Sequence, residues 1–225
     1  PENNVYFHYG DLKLGAEIPI YFSRKDPSRR SRFLSREESD AIPFSAGKIS
    51  EILEFFGIPA DSPRAAAVNA TLRHCEAGAL PGETKFCVST LESLLDSVVR
   101  TFGGSSSGRL LRTLTTDLVS SERIPLLQNY TVIRPPTAIA TEMVVGCHVM
   151  PYPYAVLYCH AQAGDTAAYK VNLVGSDGGH VDAAAVCHMD TSRWDPLHVA
   201  FRVLKMSPGE SPACHFFPGH DLVWV

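Results

Sequence analysis

The stretch "CHVMPYPYAVLYCH", residues 147–160, sets Cys beside His twice, with ten residues between the two dipeptides. The same dipeptide returns at Cys187-His188 and Cys214-His215, so four of six cysteines and four of nine histidines stand in such pairs. Pro-Tyr-Pro at 151–153 reads as a turn between two short strands. Neighbouring side chains on a strand point to opposite faces. If the dipeptides lie on strands, the sulfurs go to one face and the imidazoles to the other. This separation argues against a zinc finger, where Cys and His converge on one ion, and the chain also lacks the C-x2-C spacing of such sites. The pattern predicts a division of labour in which cysteines cross-link one layer and histidines converge on another.

The six cysteines form an even set that allows 15 pairings. Cys147 and Cys159 flank the Pro-Tyr-Pro turn and can face each other across a hairpin; pairing of either with Cys187 or Cys214 is equally open. Cys75 and Cys87 form a separate local pair around "EAGALPGETKF", a closure worth roughly 3 kcal/mol through lost loop entropy. The plain account of all six is disulfide stapling. For the histidines, the plain account is a set of satisfied core residues, but four at matched positions point to metal binding. With the sulfurs locked, imidazole with water or carboxylate oxygen remains, a set suited to Cu(II), Zn(II) or Ni(II). Copper is the redox-active member most at home in an oxidising compartment. His148, His160, His188 and His215 are the principal candidates; His198, His180, His220 and Asp190 are further ones. Four histidines can fill one site or supply parts of two.

The rest of the chain narrows the class. Its 225 residues are 45 % apolar and 20 % charged, the balance of a globular protein with a sizeable core. A net charge of -4 gives no electrostatic footprint for nucleic acid. No apolar run approaches the ~18 residues needed to cross a bilayer, so no membrane partner is expected. The opening "PENNVYFHYG" has neither the basic nor the apolar region of a signal peptide and reads as a mature or trimmed product. Sequons at Asn69 and Asn129, taken with the cysteines, point to the secretory route and to glycosylation.

Along the chain, "AGKISEILEFFG", "DSPRAAAVNATLRHC" and "STLESLLDSVVRTFGG" carry helical spacing with caps and stops, placing a helical part at about 45–103. Eight short segments follow, from "NYTVIRP" through "HVDAAAVCHM" and "HVAFRVLKM" to "DLVWV", rich in Val, Tyr and Phe and broken by turn residues. They predict a β-rich part at about 109–225, hence an α+β class with a mainly antiparallel C-terminal part, in one domain spanning 1–225. "GGSSSG" at 103–108 is a candidate joint, and "SRKDPSRRSR" at 23–32 a basic loop, either solvated or in contact with an anionic polymer such as pectin.

The spacing Cys-His, ten residues, Cys-His, 26 residues, Cys-His, 25 residues, Cys-His resembles the signature of the plant BURP-domain proteins. "YFHYGDLKLG" resembles the start of that domain, "AIPFSAGKISEIL" and "GETKFCVSTLESLLD" its middle, and "VCHMDTSRWDPLHVAF" and "ACHFFPGHDLVWV" its end. Some members of the family are similar to the non-catalytic beta subunit of polygalacturonase in the plant cell wall. Others are copper-dependent cyclases that use dioxygen to join a Tyr or Trp side chain to another atom of a ribosomal core peptide. The resemblance implies His148, His160, His188 and His215 as copper ligands and catalytic centre, with His198 in "WDPLH" as a further ligand. It implies a core or precursor peptide bearing Tyr or Trp as partner, or pectin or polygalacturonase in the non-catalytic case. The expected location is extracellular, in the apoplast or cell wall, or the vacuole. About five residues precede the resembling start, with no core repeat and only Tyr6 and Tyr9 as nearby phenols, so a separate peptide substrate, or the loss of an own one, is expected.

Overall fold

The computed structural model describes residues 5–22, 31–80, 82–104, 110–118, 127–162 and 166–225. The basic loop, except its last two residues, and the Gly-Ser joint beyond Gly104 lie outside the described residues. In chain order the elements are β1 (Tyr6–His8), β2 (Glu17–Tyr21), α1 (Arg36–Ala41), α2 (Ile49–Phe55), α3 (Pro63–Glu76), β3 (Glu83–Val88), α4 (Leu91–Thr101), β4 (Thr113–Leu114), β5 (Asp117–Leu118), β6 (Leu127–Val132), β7 (Thr137–Ile139), β8 (Val145–Val149), β9 (Leu157–Gln162), β10 (Thr166–Gly175), β11 (His180–His188), α5 (Val199–Leu204), β12 (Ala213–Phe216) and β13 (Leu222–Trp224).

Three of the helices, α1, α3 and α4, start where the sequence supplies a hydroxyl acceptor. The side chains of Ser35, Ser62 and Thr90 each accept a backbone N–H in the first turn of α1, α3 and α4. Pro63 opens α3, where its missing N–H costs nothing. Ile52 and Leu53 of α2 and Val68 and Leu72 of α3 then pack with Tyr152, Tyr154 and Val156 in one cluster.

The strands form two antiparallel sheets. The larger has eight strands along the path β1-β12-β11-β10-β6-β2, with β5 on β11 and β7 on β10; the smaller has five, ordered β3-β9-β8-β13-β4. The large sheet curls around its own core: Phe22, just past β2, meets Phe216 of β12 with ring centroids 5.8 Å apart, and Phe7 of β1 stacks on Phe216 at 4.4 Å. Its other face meets the small sheet through Ala184, Val186, Phe217, Val144 and Val223. The outer face of the small sheet is covered by Leu94, Val98 and Phe102 of α4 and its C-terminal turn. From Ala183 to His188 every residue of β11 is buried, because both faces of that strand are covered.

The α+β class holds, but helices and strands are not segregated along the chain. β1 and β2 lie at the two ends of the large sheet and β3 at an edge of the small one. "HVAFRVLKM", expected as a strand, contains α5. Ala200, Phe201 and Leu204 form its buried face at helical spacing, His198 caps its start, and Lys205 in the left-handed region ends it. Short apolar runs of this length carry both periods, and here the cap decides.

Candidate metal centre

All four Cys-His dipeptides lie on strands. Cys147 of β8 is opposite Cys159 of β9, and Cys187 of β11 is opposite Cys214 of β12. Each pair is closed as a disulfide with Cα atoms 4.0 Å apart. The third disulfide, Cys75–Cys87, ties α3 to β3. The sulfurs of Cys147 and Cys159 point to the α4 side of the small sheet, and those of Cys187 and Cys214 into the core of the large sheet. Strand alternation then turns the adjacent histidines into the space between the sheets.

There the four imidazoles form a closed quadrilateral. Ring centroids lie 5.5 Å apart for His148–His160, 5.7 Å for His160–His188, 5.6 Å for His188–His215 and 5.5 Å for His148–His215. Each sheet contributes one side, held by one cross-strand disulfide. Phe217 forms an apolar wall, 4.7 Å from both His148 and His215. The close approach requires Gly146: a Cβ there would meet Phe217 Cζ at 2.8 Å.

Exposure grades across the site. The side chains of His148 and His160 are 27 % and 19 % exposed, whereas His188 and His215 are 4 % and 6 % exposed as residues. Two carboxylates back the shallower pair. Asp221 accepts from His148 Nδ1 at 3.0 Å and from the Val149 N–H at 2.9 Å. Glu83 Oε1 lies 3.6 Å from His160 Nδ1. A carboxylate on Nδ1 leaves Nε2 as the ligating nitrogen, the arrangement that orients metal-bound histidines in general. Burial, and then neighbouring imidazoles, hold His188 and His215 well below the ordinary histidine range. Burial lowers His160 as well, against the pull of Glu83. These three are neutral at pH 7, the form that binds a metal. Burial raises the Glu83 carboxyl, but His160, the Leu80 N–H and Lys85 outweigh it and hold it below its usual range.

Aromatic side chains surround the quartet. Trp194 lies 4.9 Å from His188 and 4.6 Å from His198. Tyr6 lies 5.6 Å from His215, with its phenol pushed up to about 12 by burial. Tyr158 stacks on His160 at 5.4 Å and meets His74 of α3 at 4.3 Å.

The other sequence candidates stand apart. The ring of His198 meets Tyr6, Trp194 and Phe201, and its Nδ1 accepts the Ala200 N–H as the cap of α5. His180 begins β11, at the far end from His188, about 26 Å along an extended strand. His220 adjoins Asp221 with a positive φ of 106°. Asp190 is exposed and accepts the Ser192 N–H within its own turn. Of the sequons, Asn129 is exposed on β6 and Asn69 half-buried on α3. Glu83, Asp221 and His74 are the neighbours that sequence reasoning passed over; the only signal for Asp221 was its place beside the last Cys-His dipeptide in "ACHFFPGHDLVWV". Among the described residues no three His, Cys, Asp or Glu side chains are drawn into a closed metal-holding group; the quartet's rings stand stacked or tilted against one another.

The BURP domain matches residues 5–225. The chain is 44 % identical over 226 residues to the BURP domain protein USPL1 of Arabidopsis thaliana, covering all of this chain and 81 % of that protein. It is 42 % identical over 229 residues to the BURP domain-containing protein BNM2A of Brassica napus, covering all of this chain and 80 % of that one. The BURP domain protein RD22 of Arabidopsis thaliana is 36 % identical over 226 residues, with all of this chain and 56 % of that protein covered. With two inter-sheet histidine pairs, each behind its own disulfide, and a match running from Val5 to the last residue, the chain belongs to the BURP domain family.

Proposed function

We propose that this chain is a copper-dependent oxidative peptide cyclase that uses dioxygen to make macrocyclic crosslinks at Tyr or Trp side chains of a ribosomal core peptide. The observation that carries the proposal is the quadrilateral of four imidazoles between two sheets, with every ring-to-ring side between 5.5 and 5.7 Å. The donor set fits copper. All six cysteines are in disulfides, so no thiolate competes, and imidazole is the ligand class left. The His188 Nδ1 is buried without a hydrogen-bond partner among the described residues, as suits a ring that expects a further neighbour. His148, His160, His188 and His215 would hold the ion, with ring rotation from the stacked pose; His198 is a more distant fifth candidate. Copper supplies one-electron redox chemistry toward dioxygen and the substrate.

The chain's own residues supply orientation and access. Asp221 and Glu83 hold His148 and His160 by Nδ1 and present Nε2 inward. Phe217 and the Val144–Val186 layer exclude bulk water from the deep side. The partly exposed His148–His160 edge is the side from which a Tyr or Trp of a core peptide reaches the quartet. Three disulfides and the exposed sequon at Asn129 support maturation in the secretory pathway, with the apoplast, cell wall or vacuole as destination.

A second reading, a non-catalytic secreted wall protein that binds pectin or a polygalacturonase, draws on the near-complete burial and mutual stacking of His188 and His215. In that case the quartet is a stapled core. Copper content and the electron paramagnetic resonance spectrum separate the two, measured on the purified chain beside variants with His148, His160, His188 or His215 changed to Phe. A stoichiometric Cu(II) signal with nitrogen coupling, lost in the variants, supports the cyclase. The next step is then aerobic incubation with Tyr- and Trp-bearing precursors, seeking a product lighter by two hydrogens. A folded, disulfide-intact chain with no tight copper would overturn it in favour of the wall protein.

A further inference from the structure

Beside the quartet lies a small cavity of about 10 Å³, room for one water-sized molecule, lined by His160, Gln162, Thr166, His188, Gly146 and Phe217 among others. Two of its lining residues, Thr166 and His188, each carry a polar atom, Oγ1 and Nδ1, that is buried without a hydrogen-bond partner among the described residues. The two residues are direct partners in the β10–β11 ladder. His160 also reaches this space: its Nδ1 faces Glu83, and its Nε2 lies 3.7 Å from where a Cβ on Gly146 would be. Val144, Val186, Ala161 and Phe217 make the remaining wall apolar.

A buried hydroxyl and a buried ring nitrogen are each destabilising when left unpaired, and one shared ligand restores both. A water-sized ligand needs two to four polar partners to be held, and this cavity offers Thr166, His188 and His160 against a dry wall. We infer that the cavity is a binding site for a single water-sized oxygen or nitrogen ligand, held by the Thr166 hydroxyl against His188 Nδ1. The inference deepens the proposed function, because such a ligand stands next to two of the four candidate copper ligands. It makes Thr166 a positioning residue for a small exchangeable ligand at that centre, with water as the resting occupant.

The test compares wild type with Thr166→Val, which keeps the shape and removes the hydroxyl, and Thr166→Ser, which keeps the hydroxyl. In high-resolution crystal structures of the metal-free, disulfide-intact proteins, wild type and Thr166→Ser are expected to show one ordered water within hydrogen-bond distance of residue 166 and His188. Thr166→Val is expected to lack it. A dry cavity in wild type, or a water that survives in Thr166→Val, overturns the inference. Failure to load copper at all sinks the oxidative reading and leaves the crystallographic result to decide this one.

Discussion

Asp221 Oδ2 stands 3.0 Å from His148 Nδ1, while Oδ1 of the same carboxylate accepts the Val149 N–H at 2.9 Å. One side chain thus fixes both the ring and the backbone that carries it. In Asp221→Asn the amide oxygen still serves one of the two, but the charge that favours an Nδ1–H tautomer is gone. Copper affinity, measured by competition with a chelator, is expected to fall 10- to 100-fold, the usual cost of losing an outer-shell partner. Thermal stability is expected to change little. Unchanged copper affinity would remove Asp221 from the centre.

The metal-free chain is expected to lose stability as pH falls. His160, His188 and His215 are held below the ordinary range, with burial the leading cause. Once unfolded, they take up protons near the unperturbed value of ~6.5, so below that pH the unfolded chain binds more protons than the folded one. Unfolding free energy from urea titrations should therefore be level at pH 7 and above and decline from ~6.5 toward 5. Copper affinity should fall over the same interval, since protons compete for the same nitrogens. A stability curve flat between pH 7 and 5 contradicts the neutral buried quartet.

Gly146→Ala probes the wall of the site. The added methyl would meet Phe217 Cζ at 2.8 Å, and Phe217 in turn touches His148 and His215. Overpacking of this kind costs about 1–3 kcal/mol. The expected result is a lowered melting temperature together with an altered copper spectrum. A variant as stable as wild type would mean that Phe217 has room to move.

The three disulfides are expected to differ in what they support. Replacing either partner pair by Ser should cost about 3 kcal/mol in each case through regained loop entropy. Loss of Cys147–Cys159 or Cys187–Cys214 also frees the strand pair that carries two of the histidines, so copper affinity should drop with stability. Loss of Cys75–Cys87, which joins α3 to β3, should lower stability with a smaller effect on copper. Chelator competition beside denaturant titration separates the patterns; equal copper losses from all three would count against strand pinning.

The convergence of the four histidines was legible in the sequence because strand alternation has a period of two residues. Cys beside His on a strand has to send sulfur and imidazole to opposite faces, and β8, β9, β11 and β12 do so. Cys75–Cys87 was legible as a local pair, but the pairing among the other four cysteines stayed open, since it depends on the register between β11 and β12, separated by α5 and a long connection. Glu83 and Asp221 were missed for the same reason: each reaches its histidine from another strand or turn. β1, β2 and β3 escaped notice because they are short or weakly apolar, and their pairing comes from neighbours distant in sequence. His198 was weighed as a ligand on residue type and on the family resemblance of "WDPLH"; the structure gives its Nδ1 the work of a helix cap.

The two cross-strand disulfides also set an order of events for the newly made chain. Before they close, a soft metal ion meets four thiols beside the histidines, and the thiols outcompete imidazole for it. After they close, sulfur is withdrawn to the outer layers and only nitrogen faces the space between the sheets. On the proposed function, closing these disulfides decides which ligand class a metal meets, and a chain that met copper too early would be loaded in the wrong place.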